Sequence, residues 1–470
     1  MLTFQDYEER VHTEADKMRF IEDLIGEYKA SERYKTAVIA DEYARQENTT
    51  ITQYQKLLYT MAGEAVPDNY SANYKLASGF FDRFISQRTQ YLLSNGITFN
   101  KPGTKKKLGK KFDKRMQTAG YEALSGGVSY IFWNYDHIEV FTAREFAPLY
   151  DEETGEMMAG VRFWRLDTDK PLRATFYEQD GYTDYIWRTR KEKTQGEIFK
   201  EKRAYIQTIA RTPADGEEII AGENYSALPI VTLYPDDHKQ SKLVGLRENI
   251  DAYDLIKSGF ANDLDDASQI YWVISNAGGM GEIDLKEFLD RMKRVKASMI
   301  DEEGAKAEAH TIEVPYNSRE AILTRLRSDM YEDFGALDTK NIAAGAVTAT
   351  QVMAAYEPMD NKTDPFETHI TDAIEEVLEL AGIEDEPSFT RSVIINRQEE
   401  IQTVIQAAEY TSEDYTTTKI LTLMGDADQI ATVKAEKEAE DIDRFSGEDD
   451  LEDFGNEIIG QLEGLLTEED

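Results

Sequence analysis

Five histidines, His12, His137, His238, His310 and His369, are the side chains here best suited to hold a transition metal or relay a proton. None of the five is paired with another at i, i+3 or i, i+4, so they read better as surface or satisfied core histidines than as metal ligands. There is no cysteine, which excludes disulfides, thiolate zinc sites and a cysteine nucleophile, and fits a reducing compartment. Ala277-Gly278-Gly279-Met280-Gly281 is glycine-rich enough to approach a phosphate. No Lys-Ser/Thr follows it, however, and no G-x-x-x-x-G-K-S/T occurs anywhere, so it reads as a turn and argues against a P-loop motor. H-E-x-x-H and G-x-S-x-G are also absent. Asp263-Leu264-Asp265-Asp266 lacks the Gly and Glu of a calcium loop and reads as a solvated helix face, and 449–455 fails similarly. Close carboxylates arise by chance among 91 Asp and Glu, so they are weak support for two-metal catalysis. No catalytic residue, metal or cofactor is expected.

Charge carries more information. Against 53 Lys and Arg, the acids leave a formal charge of −38. DNA-binding proteins are usually basic, so this chain does not wrap DNA with its whole surface. The charge is unevenly spread: 436–470 holds 15 acids and 2 bases, whereas 101–115 holds 8 bases and one acid. The basic cluster includes Lys105, Lys106, Lys107, Lys110 and Lys111. With 41% hydrophobic and 11% aromatic residues the chain has ample material for a core, unlike disordered acidic proteins. No apolar run approaches the ~18–20 residues that span a bilayer, and the N-terminus does not read as a signal peptide.

These features sit on a recognisable order of elements, two to four structural units by length. The first 60 residues read as helix, with Phe20, Leu24 and Tyr28 on one face. A second helix carries Tyr74, Ala77, Phe81, Phe84, Ile85, Arg88, Tyr91 and Leu92 as a core-facing stripe, ending at Ser94-Asn95-Gly96. From about 121 to 235, β-rich runs at 128–133, 138–141, 161–165, 174–177, 182–187 and 205–209 predict an antiparallel sheet in an α+β unit. Helix returns over about 241–268, with Leu243, Leu246, Ile250, Tyr253, Leu255 and Ile256 on its apolar side. A small α/β insertion over 271–318 precedes a further helix from Arg319 to Phe334. Residues 336–350 are small and uncharged apart from Asp338 and Lys340. A long helix to about Leu380 follows, interrupted at Pro358 and Pro365, then a strand at 389–396 and a helical remainder.

Several stretches together resemble the portal proteins of tailed bacteriophages, in particular those of siphophages. They are Asn73-Tyr74-Lys75-Leu76-Ala77 through Phe99, Ala123-Leu124-Ser125-Gly126-Gly127-Val128-Ser129-Tyr130, Phe146-Ala147-Pro148-Leu149-Tyr150-Asp151, Leu228-Pro229-Ile230-Val231, and Asn249-Ile250-Asp251-Ala252-Tyr253-Asp254. The segments 389–396 and 412–428 continue the order, so the collinear series spans roughly 70–440. One departure is Ala349-Thr350-Gln351-Val352-Met353, where the family carries a Ser-Gly-Val-Ala-Leu-like segment.

The resemblance implies an α+β portal fold assembled as a ring, usually of twelve subunits, at a capsid vertex of the virion, with assembly in the host cytoplasm. It implies a wing over 1–240, stem helices over 241–270 and 319–335, and a clip over 271–318. It further implies a tunnel loop at 336–350, a return to the wing over 351–407, a crown over 408–447 and an acidic tail over 448–470. The tunnel-loop residues Lys340, Asn341, Ile342, Ala343, Ala344, Gly345, Ala346, Val347 and Thr348 would face double-stranded DNA, with Lys340 meeting its backbone. Glu282, Asp284, Lys286, Glu287, Lys293 and Arg294 of the clip would dock the large terminase and later the head-tail adaptor. Major capsid and scaffolding proteins are further implied partners, and no membrane is. An acidic channel wall suits a conduit, because each neutralised phosphate would add salt-dependent adhesion.

Other readings stay open from sequence. The 101–115 cluster is either a solvated loop or a contact with DNA or an acidic protein. The chain could be another head-tail connector that passes no DNA, or an acidic metal-dependent nuclease.

Overall fold

The computed structural model describes residues 2–59, 63–68, 73–190, 193–212, 216–267, 271–275, 306–310, 316–339, 349–392, 397–424 and 433. It confirms an α+β architecture. Helices α1 (Phe4–Arg10), α2 (Glu14–Ala30), α3 (Glu32–Ala44) and α4 (Thr49–Thr52) come first. Capping boxes at Thr3/Asp6 and Thr13/Asp16 set the starts of α1 and α2 by satisfying backbone donors reciprocally. Two short strands, β1 (Leu57–Tyr59) and β2 (Ala65–Pro67), pair next. Then come α5 (Phe80–Leu93), β3 (Ile97–Phe99), α6 (Thr104–Lys107) and α7 (Phe112–Gly126).

Helix α5 is shorter than its aromatic pattern predicts. Tyr74 and Ala77 lie in a non-helical approach, 73–79, whose backbone amides at Tyr74 and Leu76 donate to side chains of another helix rather than to the next turn.

The β-rich stretch forms more than one sheet. The strands are β4 (Ser129–Asn134), β5 (His137–Thr142), β6 (Phe146–Tyr150), β7 (Met157–Trp164), β8 (Leu172–Glu178) and β9 (Gly181–Arg190). They continue with β10 (Lys193–Arg203), β11 (Ile206–Thr212), β12 (Gly216–Glu223) and β13 (Ile230–Leu233). Strands β6 to β10 form an antiparallel meander, β13-β4-β5 a separate three-stranded sheet, and β11-β12 a hairpin. The face of α2 carrying Phe20, Ile21, Leu24, Ile25 and Tyr28 packs on the meander through Leu149, Val161, Phe163, Phe176 and Trp187. Strands β6, β10 and β12 lie outside the runs expected as strands, because their pattern of alternation is broken: Pro148 in one, polar residues and Gly196 in the second, Gly216 and Gly222 in the third.

Helix α8 (Arg247–Ala267) begins six residues later than expected from Ser241. Residues 241–246 form turns, with Gly245 at φ +83°, the left-handed region where a glycine is favoured. Strands β14 (Tyr271–Ser275) and β15 (Lys306–His310) pair as antiparallel neighbours, and α9 (Tyr316–Phe334) follows. Helix α10 (Ala349–Leu380) runs through both Pro358 and Pro365, so neither interrupts it. Its face carrying Phe366, Ile370, Ile374 and Val377 is buried in the same core as α5 and α7, and tertiary packing outweighs the proline cost. The returning strand β16 (Pro387–Phe389) pairs with β3; it ends where the sequence predicts a start, and 393–396 lies outside the described residues. Helices α11 (Arg397–Ala407) and α12 (Glu413–Met424) complete the described chain.

The chain divides into two compact units: Met1–Thr339 with Tyr356–Ser392, and Lys340–Ala355 with Val393–Asp470. In the first, the largest core joins α5, α7, α8, α9 and α10 around Phe84, Phe112, Met116 and Phe366. In the second, α11 and α12 pack together.

Candidate functional site

Helices α8 and α9 lie side by side and antiparallel. At one end the Phe260 and Tyr316 rings meet edge to face, 5.3 Å between centroids, and Arg319 pairs with Asp263 at 2.5 Å. At the other, Phe80 of α5 touches both Tyr253 and Tyr331, at 5.0 and 6.4 Å. The β14-β15 pair therefore springs from the first end. The chain leaves α9 toward Lys340 at the second, roughly 28 Å away for a helix of 19 residues.

Each helix is bonded to neighbouring segments of the fold. Along one face of α8, Asp251, Asp254, Ser258 and Asn262 recur at helical spacing, and all four are taken up by the N-terminal segment. Tyr43 and Thr50 hydroxyls donate to Asp251, and the Asn48 amide donates to Asp254. Ser258 Oγ accepts from the Leu76 amide at 2.9 Å, and Asn262 Oδ1 from the Tyr74 amide at 2.6 Å. Asp254 is fully buried, and burial raises its carboxyl pKa above the ordinary range even though Asn48 donates to it. By contrast Leu255, expected on the apolar side, is exposed.

At the C-terminal end of α9, Phe84 stacks on Phe334 at 5.0 Å and meets Tyr331 edge to face at 4.9 Å. The buried Arg88 guanidinium lies 4.1 Å over the Phe334 ring and donates to the Phe334 carbonyl, capping the helix. Gly335 ends it at φ +68°; a Cβ there would lie 2.7 Å from the Pro358 carbonyl oxygen, so only glycine fits. The next residues are clamped. Gln87 exchanges two hydrogen bonds with the Leu337 backbone, both 3.1 Å, and Arg327 pairs with Asp338 at 2.7 Å. The segment beginning at Lys340 thus departs from a fixed frame.

Helix α10 is tied back by one arginine. Arg391 bonds Asp360, Asp364 and Glu367, and Tyr91 Oη donates to Asp360 at 2.7 Å. The three carboxylates raise the Arg391 pKa well beyond its ordinary value, outweighing the opposing effect of burial.

Of the residues singled out from sequence, Lys340 to Thr348 and the clip residues Glu282, Asp284, Lys286, Glu287, Lys293 and Arg294 lie outside the described residues. The basic cluster is described. Lys105 is consumed structurally by Asp113 and the Ile97 carbonyl, whereas Lys106, Lys107, Lys110 and Lys111 are exposed and form no ion pair among the described residues. No metal-binding group of His and carboxylates occurs among the described residues, where His137 pairs with Asp136 and His369 with Asp237. No helix among them is long and apolar enough to cross a membrane. Gln87, Arg327 and Arg391, which fix the segments around Lys340, carry no local motif. Their partners are about 250, 11 and 24–31 residues away, and only the fold brings them together.

Comparison with known proteins shows the family of the chain that carries this helix pair. The model of the phage portal proteins of the SPP1 Gp6-like type matches residues 40–443. The chain belongs to that family: it is a portal protein of tailed phages, whose ring at the capsid vertex serves DNA packaging. Among its relatives, the portal protein of Clostridium phage phiCD119 is 23% identical over 368 residues, covering 70% of this chain and 77% of that one. The portal protein of Bacillus phage SPP1 is 22% identical over 445 residues, covering 86% and 85%. Solved structures with a similar trace include the virion of a native gene transfer agent particle, with TM-score 0.42, 12% identity and coverage of 73% and 89%. Another is an HK97-family phage portal protein from Corynebacterium diphtheriae, with TM-score 0.32, 12% identity and coverage of 66% and 89%.

Proposed function

We propose that twelve copies place the α8–α9 pairs side by side as the stem of a channel for double-stranded DNA, used in packaging and ejection. In this reading residues 271–318, which include β14 and β15, are the clip. Its charged residues Glu282, Asp284, Lys286, Glu287, Lys293 and Arg294 dock the large terminase and then the head-tail adaptor. Residues 336–350 form the tunnel loop, 340–348 of it face the DNA, and Lys340 meets the DNA backbone. ATP hydrolysis belongs to the docked motor, because this chain has no Walker A sequence and acts as a structural part. The observation that carries the reading is the antiparallel helix pair with its two insertions at opposite ends. Such a layout can hold one segment against an external partner and another against the channel contents.

The test is a packaging assay with Lys340→Glu in assembled rings. Reversing the charge of a residue next to the phosphates should change packaged DNA yield, and the change should depend on salt. Wild-type yield from intact Lys340→Glu rings would overturn the assignment of Lys340.

The exposed lysines of the 101–115 cluster form a second contact in this reading, with an acidic surface of a capsid or scaffolding protein. Changing Lys106, Lys107, Lys110 and Lys111 together to Gln should weaken capture of such a protein at low salt and have little effect at high salt. Equal capture by both forms at low salt would show the cluster to be merely solvated.

A further inference from the structure

Arg88 is the one arginine of the described core at only 4% exposure, and it has no carboxylate partner among the described residues. Its guanidinium donates to the Phe334 carbonyl, but its Nε is buried without a hydrogen-bond partner. Burial lowers its pKa to about 10, and Asp236 opposes that shift only through space. An arginine so placed is costly unless an anion offsets it.

The same guanidinium lines a cavity of about 270 Å³, whose walls include Lys242, Gly245, Asp333, Phe334 and Lys362. Three cations thus face one carboxylate there. Lys242 is ion-paired with Asp236, and burial still lowers its pKa because the pair does not fully offset desolvation. Asp236 is held below the ordinary carboxylate range, burial opposing and Lys242 prevailing, so Lys242 and Asp236 offset each other and the two cations Arg88 and Lys362 share the cavity with the one carboxylate of Asp333. Lys362 is exposed and forms no ion pair among the described residues. Gly245 contributes a wall without a side chain, so small polar ligands can approach the backbone.

We propose that this cavity, between α5, the turn before α8, the end of α9 and α10, is a binding site for an oxyanion of the phosphate class, held by Arg88, Lys242 and Lys362. The volume admits a tetrahedral anion, and the planar fork of arginine suits two of its oxygens while lysines act as point charges. The source is either free inorganic phosphate or a phosphodiester group of a nucleic acid. The site stands on the cavity alone and does not depend on the channel reading. Its position gives it a consequence. Arg88 caps α9, and its neighbour Gln87 clamps Leu337, so an anion there stiffens the frame from which the segment at Lys340 departs.

The experiment uses the assembled full-length protein and reads thermal unfolding with inorganic phosphate, with a short DNA duplex, and with sodium chloride at matched ionic strength. Phosphate should raise the Tm by roughly 2–4 °C beyond the chloride control. The duplex arm separates the sources: a response to duplex but not to phosphate assigns a phosphodiester, and a response to phosphate assigns the free ion. Lys362→Gln keeps the Cγ that packs over Gly335, and should fold normally while raising the half-saturating concentration about tenfold. Arg88→Lys should fold less stably and also lose the response. If neither anion acts beyond the chloride control, or if Lys362→Gln responds like wild type, the proposal is overturned.

Discussion

Asp254 shows how single groups are tuned in the helix pair. It accepts from the Asn48 amide, is fully buried, and has a pKa raised by desolvation. A folded carboxyl with a raised pKa contributes stability below the ordinary carboxylate range, and that contribution is lost as pH rises through the folded value. Asp254→Asn keeps an acceptor for Asn48 and removes the ionisation. The variant should therefore gain stability relative to wild type as pH rises from about 4 to 8, as read by urea unfolding of the same assembly state. A difference that does not change with pH would show that Asp254 stays ionised in the folded protein. Arg88 could be placed in the aromatic stripe from sequence alone, because Phe81, Phe84, Ile85 and Leu92 bracket it at helical spacing. That it caps a helix almost 250 residues away could not.

At the scale of elements, the α8–α9 contact joins one ring pair to one ion pair. Asp263 and Arg319 are 39% and 28% exposed, so their pairing is partly screened and worth about 0.5–1 kcal/mol. Asp263→Arg and Arg319→Asp should each destabilise, and the double swap should recover most of the loss in a double-mutant cycle. Strictly additive losses would show that the ion pair does not join the helices. The helix pair was legible because apolar residues recur at three and four. Its start is not legible, because Leu243 and Leu246 are buried from turns rather than from helix. No local signal marks Asp251, Asp254, Ser258 and Asn262 on α8, yet all four are bonded to a segment some 180–210 residues earlier. Strand continuity was also obscured where glycine, proline or charge broke alternation, as in β6 and β10. The uninterrupted α10 illustrates the same point: two prolines argue locally for breaks, and a buried face with an Arg391 clamp overrides them.

For the whole molecule, the excess of 91 acids over 53 bases excludes tight wrapping of DNA and suits a conduit that does not hold it. The exceptions are local. They comprise the exposed lysines near 106–111, the cationic cavity at Arg88, and Lys340 in the segment that leaves the clamped end of α9. A portal protein whose helix pairs line a channel must form a closed ring, and every functional assignment above depends on that closure. The most direct measurement is therefore the mass of the purified oligomer together with end-on electron-microscope images. The account predicts a closed ring, twelve copies of the chain in number, with a central opening wide enough for a DNA duplex. A monomer, or a closed assembly without such an opening, would contradict it.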